Sequence, residues 1–236
     1  MSTRSTPNWS PVADRHRGSR LDSHHVAGRD LVGGQKRLDV KVADPSLGLI
    51  LCISIKTYSF RDYSPTKKKL GRWTKNIKRN DHELRGEAMV LHQRQPYSAL
   101  VAVIFEPFAT CDDGESSNSS FAHHVDVLKK RSGRGKRPIR GTTSPAWVEF
   151  GAEDPRYELF ERVLIGLYEH EGPERGSVKF FDVEKPPPKK GRPATEDLLT
   201  FQQFIELVDE DVSIRNSKAP VWSDTDDDSE EDEEEQ

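Results

Sequence analysis

Residues 36 to 60, KRLDVKVADPSLGLILCISIKTYSF, restrict the fold more than any other stretch, because two runs of strand-type side chains flank a cluster of turn formers. Arg37 to Ala43 alternates charged and apolar residues, Asp44 to Gly48 supplies the turn, and Leu49 to Thr57 is an apolar, β-branched run suited to a buried strand. The product is an antiparallel hairpin. With the loop centred between Ser46 and Leu47, Asp39 lies opposite Ser54, Arg37 opposite Lys56, Val40 opposite Ile53 and Val42 opposite Leu51. Strand side chains alternate with a period of two, so Leu38, Val40, Val42, Leu51, Ile53 and Ile55 share one face, and Asp39, Lys41, Ser54 and Lys56 share the other. The apolar face seeks a core. The polar face gathers an acid, a hydroxyl and an amine.

Downstream, Ile77, Leu84, Ala88 and Leu91 recur at helical spacing between Asn76 and Arg94, with Asn76, Asn80, Glu83 and Glu87 on the adjacent flank. Pro96 stops this helix, and Tyr97 to Phe105 (YSALVAVIF) reads as a further strand ended by Glu106 and Pro107. A helix laid on the sheet in this order carries its carboxylates to the margin of the hairpin's polar face.

The succession LDVKV, SIKTYSFRD, NIKRNDHELRGEA and a strand ending FEP resembles the restriction-endonuclease-like, PD-(D/E)XK nuclease superfamily, in particular its bacterial type II restriction-endonuclease members, over roughly residues 30 to 110. The resemblance implies an α/β fold with a mixed central sheet flanked by helices, and a Mg2+-dependent endonuclease of a restriction system acting on double-stranded DNA. Carried over by position, Asp39 is the first metal ligand and Lys56 the lysine that assists the attacking water. Ser54 stands where the second acid is usual. Some members place that carboxylate on the following helix, which here nominates Glu83, with Glu87 as second choice for the metal. Many restriction-type enzymes are dimers, so a homodimer is a further expectation. Such residues suit phosphodiester hydrolysis, since charge builds on the phosphoryl and leaving oxygens. The bland reading of Asp39 and Lys56 is an ion pair on a solvated sheet face, worth under about 1 kcal/mol.

Charge is unevenly placed. The segment Asp224 to Gln236 holds ten acids and no base, so a chain of net charge −4 is +6 without it. Basic runs at Lys67, Lys68 and Lys69, from Lys129 to Arg140, and at Lys189, Lys190 and Arg192 are candidates for phosphate contact. Lys67, Lys68, Lys69, Arg79, Lys190 and Arg192 are assigned to DNA. Lys189 to Pro193 also resembles an AT-hook core, with Lys190 in place of the usual first arginine. A proline-rich linker is the preferred reading of this stretch. The acid tail is expected to be disordered.

The expected organisation is a flexible segment at 1–29, a nuclease-like α/β domain at 30–210 and a disordered acidic tail at 211–236. Within the domain, Phe121 to Leu128 reads as a helix, Ser132 to Thr143 as a mobile basic loop, Ala146 to Phe150 as a strand, and Phe160 to Leu167 as an amphipathic helix. Ser177 to Val183 reads as a strand, and Leu198 to Val208 as a last helix starting near Thr195. Cys52 and Cys111 form no disulfide or zinc spacing, and no apolar leader or membrane-length run is present, so a soluble protein of the reducing cytoplasm, with no membrane partner, is expected. His24-His25 and His123-His124 have no metal-type spacing and read as surface residues. No P-loop, dinucleotide fingerprint or Ser-His-Asp set is legible. Two readings stand beside the endonuclease: a DNA-binding relative with a decayed site, and an interaction module whose acidic tail engages a basic partner.

Overall fold

The computed structural model describes residues 39–58, 61, 63–74, 76–113, 117–150, 154–217 and 219. The hairpin comprises β1 (Val40–Asp44) and β2 (Gly48–Thr57), followed by a two-residue pair, β3 (Tyr63–Ser64) and β4 (Lys69–Leu70). Helix α1 (Ile77–Arg94) leads into β5 (Ala99–Pro107), α2 (Ser120–Leu128), the short α3 (Ala146–Phe150), β6 (Arg162–Tyr168), β7 (Val178–Asp182), β8 (Leu198–Leu199) and α4 (Phe201–Asn216). Among the described residues the main sheet has six strands in the order β1-β2-β5-β6-β7-β8. The strands β2, β5 and β6 are parallel, whereas β1 on β2, β7 on β6 and β8 on β7 are antiparallel. This is an α/β protein with a mixed sheet flanked by helices.

The hairpin has the register its alternation dictates, with Val40 opposite Ile53 and Val42 opposite Leu51. The register shifts between Val42 and Ala43, where Ala43 pairs with Leu49, so the turn end of the hairpin is offset by one residue. Arg37 and Leu38 lie outside the described residues, as do His24-His25, the segment 1–29 and the acids from Asp224 onward.

Helices cover both faces of the sheet. On one, Cys52, Leu100, Ala102, Ile104, Val163 and Ile165 pack with Ile77, Leu84 and Ala88 of α1 and with Phe121, Val125 and Leu128 of α2. On the other, Leu51, Val101, Val103, Leu164 and Phe180 pack under Phe204 and Val208 of α4. The hairpin's two faces therefore differ from the expected in and out. Ser54, on the polar face, is 1% exposed, while Val40 and Ile55 on the apolar face are 39% and 36% exposed. The polar face faces a helix because α1 brings its own polar flank to meet it.

Three elements depart from the sequence reading. The stretch from Phe160 to Leu167 holds no helix: Arg162–Tyr168 is strand β6, flanked by β5 and β7 and buried from Val163 to Leu167. Gly166 opposes Phe105 in this ladder, and a Cβ there would come within 2.7 Å of the Phe105 ring. Ala146–Phe150 is a helical turn rather than a strand. The last helix starts at Phe201, after a 3-10 turn at Thr195–Asp197 and the β8 pairing, because Thr200 and Gln203 form a reciprocal capping box. It runs to Asn216, beyond residue 210, with Asp211 and Arg215 buried. The stretch from Lys129 to Arg140 is tied inward: Arg131 bonds Asp81, Lys136 bonds Asp211, Arg137 bonds Glu184 and Arg134 is wholly buried.

Candidate functional site

Strand parity puts Ser54 and Lys56 on the face that α1 covers, and the helix brings Glu87 to both. The Ser54 hydroxyl donates to Glu87 Oε2 at 2.6 Å and Lys56 Nζ donates to Glu87 Oε1 at 2.8 Å. The carboxylate is 8% exposed and the lysine side chain 20%, so this is a shielded pair held at two points. Glu87 reaches the hairpin because it lies on the same flank as buried Asn80, next to the stripe of Ile77, Leu84 and Ala88.

Glu83 does not join this group. It accepts from Arg79 Nε at 3.0 Å, an i,i+4 pair on the outer side of the helix with side-chain exposures of 34% and 72%. The acid nearest the position left by Ser54 is thus Glu87, and Arg79 is engaged along its own helix. Asp39 is exposed and accepts the Ile55 amide at 2.7 Å, just past the last ladder pair, where its carboxylate extends the hydrogen bonding of the hairpin edge. Among the described residues no three His, Cys, Asp or Glu side chains converge as a metal-ligating group. The structure brings together the Glu87 carboxylate and the Ser54 hydroxyl, while Asp39 is tied to the Ile55 amide; these are the oxygen ligands that magnesium takes, and one or two carboxylates with phosphate and water suffice for it.

The same sheet face continues into a second polar group, at the carboxyl ends of β2 and β5. The Tyr58 amide donates to the Phe105 carbonyl at 2.8 Å, keeping the two strands in step beyond the β2 ladder. The Tyr58 ring stacks on His124 with centroids 4.6 Å apart, and His124 Nδ1 bonds Glu106 Oε2. Glu106 and His124 are both wholly buried. Burial pushes the Tyr58 hydroxyl above its ordinary range, and the Glu106 charge adds to the effect. His123-His124 is therefore not a surface pair. One histidine lies inside, where helical spacing puts it with Phe121, Val125 and Leu128. Cys111 is also buried, in a 3-10 turn, and burial raises its thiol as it raises that of Cys52, the latter to about 11.

The residues assigned to DNA fall in three places. Lys67, Lys68 and Lys69 are exposed at the turn and second strand of the β3-β4 pair, with Lys68 at φ 48°. Lys190 is exposed on a strap that is fastened to the body, since the Ser119 amide donates to the Lys189 carbonyl at 2.7 Å and the Gly191 amide to the Cys111 carbonyl at 2.9 Å. Arg192 bonds Glu169 and lies 4.4 Å over the Phe108 ring. The Pro-rich segment is thus a docked connection rather than an extended arm. No helix among the described residues is long and apolar enough to cross a membrane.

Comparison of the chain with protein-family models, with curated proteins and with solved structures finds no match.

Proposed function

We propose that this chain is a metal-dependent DNA endonuclease of restriction-endonuclease-like fold, acting in the cytoplasm on double-stranded DNA, with its second acid supplied by helix α1. The observation that carries this reading is Glu87, which reaches from α1 to bond both Ser54 and Lys56, the strand positions of the missing acid and of the lysine. Asp39 and Glu87 are the residues that would hold a magnesium ion, whose chemistry when bound is to stabilise charge on the phosphoryl oxygens. Ser54 orients the Glu87 carboxylate by its hydroxyl bond. Lys56 supplies the cation that stabilises charge developing on a phosphodiester and orients the attacking water. Lys67, Lys68 and Lys69 at the β3-β4 turn, with Lys190, offer phosphate contacts. A second reading, DNA binding without cleavage, is favoured by one feature: Lys56 and Glu87 already neutralise each other, and Asp39 is used in the hairpin edge.

The test is nicking of supercoiled plasmid with and without magnesium. The native chain nicks DNA, and Lys56→Ala, Asp39→Asn and Glu87→Gln lower the rate by at least about 100-fold while Glu83→Gln retains it. Thermal melting checks that each variant is folded. Native rates in Lys56→Ala and Glu87→Gln would remove the nuclease reading, and salt-sensitive DNA retention with no nicking by the native chain would select the binding one.

A further inference from the structure

We infer that the β3-β4 pair is a DNA-reading ribbon that enters the major groove of a duplex and sets Tyr63 and Leu70 against thymine methyl groups. The inference rests on the DNA reading above and adds to it a source of base preference. Tyr63 pairs with Leu70 and Ser64 with Lys69 across two antiparallel strands, so Tyr63 and Leu70 stand side by side on one face of the ribbon. They are 59% and 54% exposed, among the most open large apolar side chains of the described residues. Whatever they gain from each other, more than half of each still meets water. The base of the ribbon is fastened to the body. Arg61 Nε donates to the Gly71 carbonyl at 2.8 Å and its guanidinium lies 5.7 Å over the Trp73 ring, while the Trp73 amide donates to Asp113 Oδ2 at 3.2 Å and to Ser120 Oγ at 3.1 Å. The apolar pair is therefore presented on a held element, which lowers the ordering cost of binding.

Charge sets the kind of partner. From Tyr63 to Asn80 the chain carries seven bases and no acid, and Lys67, Lys68 and Lys69 are all exposed, so the ribbon suits a polyanion. Position favours duplex DNA. Tyr63 follows Lys56 by seven residues, which reach at most about 25 Å, less than the roughly 34 Å of one duplex turn. A single duplex can thus meet the strand that carries Ser54 and Lys56 and the ribbon at once. Two strands about 4.8 Å apart, with their side chains, fit a major groove roughly 12 Å wide and are too broad for a minor groove of roughly 6 Å. There the turn lysines meet phosphates, and the apolar feature of the groove floor is the thymine C5-methyl. Tyr63 and Leu70 recognise it by removing it from water.

The experiment is fluorescence anisotropy of the full chain, in magnesium-free buffer, with one A·T-rich duplex made with thymine and again with uracil, which lacks only the 5-methyl group. The native chain binds the thymine duplex more tightly, by about 4-fold for each methyl in contact. Tyr63→Ser combined with Leu70→Ser binds the two duplexes alike, whereas Lys67→Gln combined with Lys68→Gln weakens both equally and lowers the salt slope by about 0.9 per lysine. Thermal melting checks that the variants are folded, and the comparison of thymine with uracil on the native chain stands without them. Salt-sensitive binding that ignores the methyl groups would overturn the inference and leave the DNA reading in place. No salt-sensitive binding to any duplex would remove both, and capture by phosphatidylserine vesicles without duplex binding would overturn the inference in favour of a bilayer surface.

Discussion

His92 and Glu161 lie 3.6 Å apart in the core, and their surroundings move the proton from the imidazole to the carboxyl. Burial, aided by the Arg134 charge, holds His92 down to about 3, while burial pushes Glu161 up to about 7 against the opposing pull of Arg134. The raised Glu161 contributes stability that is complete below its unfolded value of 4.5 and is lost as pH rises to 7. The depressed His92 contributes stability that is present above 6.5 and is lost as pH falls to 3. Between 4.5 and 6.5 the folded and unfolded chains each hold one proton on this pair, so the two slopes cancel. Replacing the histidine exposes the other slope: relative to the native chain, His92→Gln loses stability as pH rises through that window, at up to about 1.4 kcal/mol per pH unit. Urea unfolding at three pH values measures it, and parallel curves for the two proteins would refute the exchange. This kind of residue-scale event is poorly legible in a sequence. Neither His92 with Glu161 nor His124 with Glu106 is close along the chain, and a doublet such as His123-His124 looks solvated until the apolar spacing of Phe121, Val125 and Leu128 fixes which of the two turns inward.

At the scale of elements, what was legible is what one period decides. Alternation in β1 and β2 gave the pairing of Val40 with Ile53, and the helical spacing from Asn76 to Arg94 matches α1 to within a residue. Strand β6 misleads for a physical reason. Flanked in a mixed sheet and covered on both faces, it is apolar from Val163 to Leu167, and Phe160, Val163, Leu164 and Leu167 fit a helical stripe as well as a buried strand. The choice between Glu83 and Glu87 was beyond spacing alone, since both lie on one flank and only the roll of α1 on the sheet separates them. That roll has a measurable consequence. Glu87→Ala leaves the buried Ser54 hydroxyl and the Lys56 ammonium without their acceptor and lowers stability by about 1–3 kcal/mol, whereas Glu83→Ala, which breaks only an outer i,i+4 pair, costs under about 0.5 kcal/mol. Chemical denaturation compares the two, and equal losses would argue against the tethering of α1 through Glu87.

For the whole molecule, the division of charge is the feature the sequence displays openly, and the fold changes its meaning. Much of the basic stretch between Lys129 and Arg137 is spent on internal partners, which leaves the β3-β4 turn, Arg79 on the outer side of α1 and the 189–192 strap as the assigned basic places facing outward. Removing Asp224 to Gln236 takes the net charge from −4 to +6, so under the proposed DNA reading the expected outcome is that the shortened chain binds duplex DNA more tightly, with an affinity that falls more steeply between 50 and 200 mM salt. Filter retention across that range measures both, and unchanged retention would exclude the tail from any competition with DNA. A different consequence follows from Arg215. Its partners are the Pro96 carbonyl, 119 residues earlier, and Glu161, in a network closed also by Asp211 on Lys136 and Arg162. The 54 residues from Glu161 to Arg215 take a ribosome roughly 3–11 s to add. For that interval Lys136 lacks its Asp211 carboxylate, Arg162 has only Asp182 and Glu161 only Arg134, so this ion-pair network closes last, once α4 has emerged.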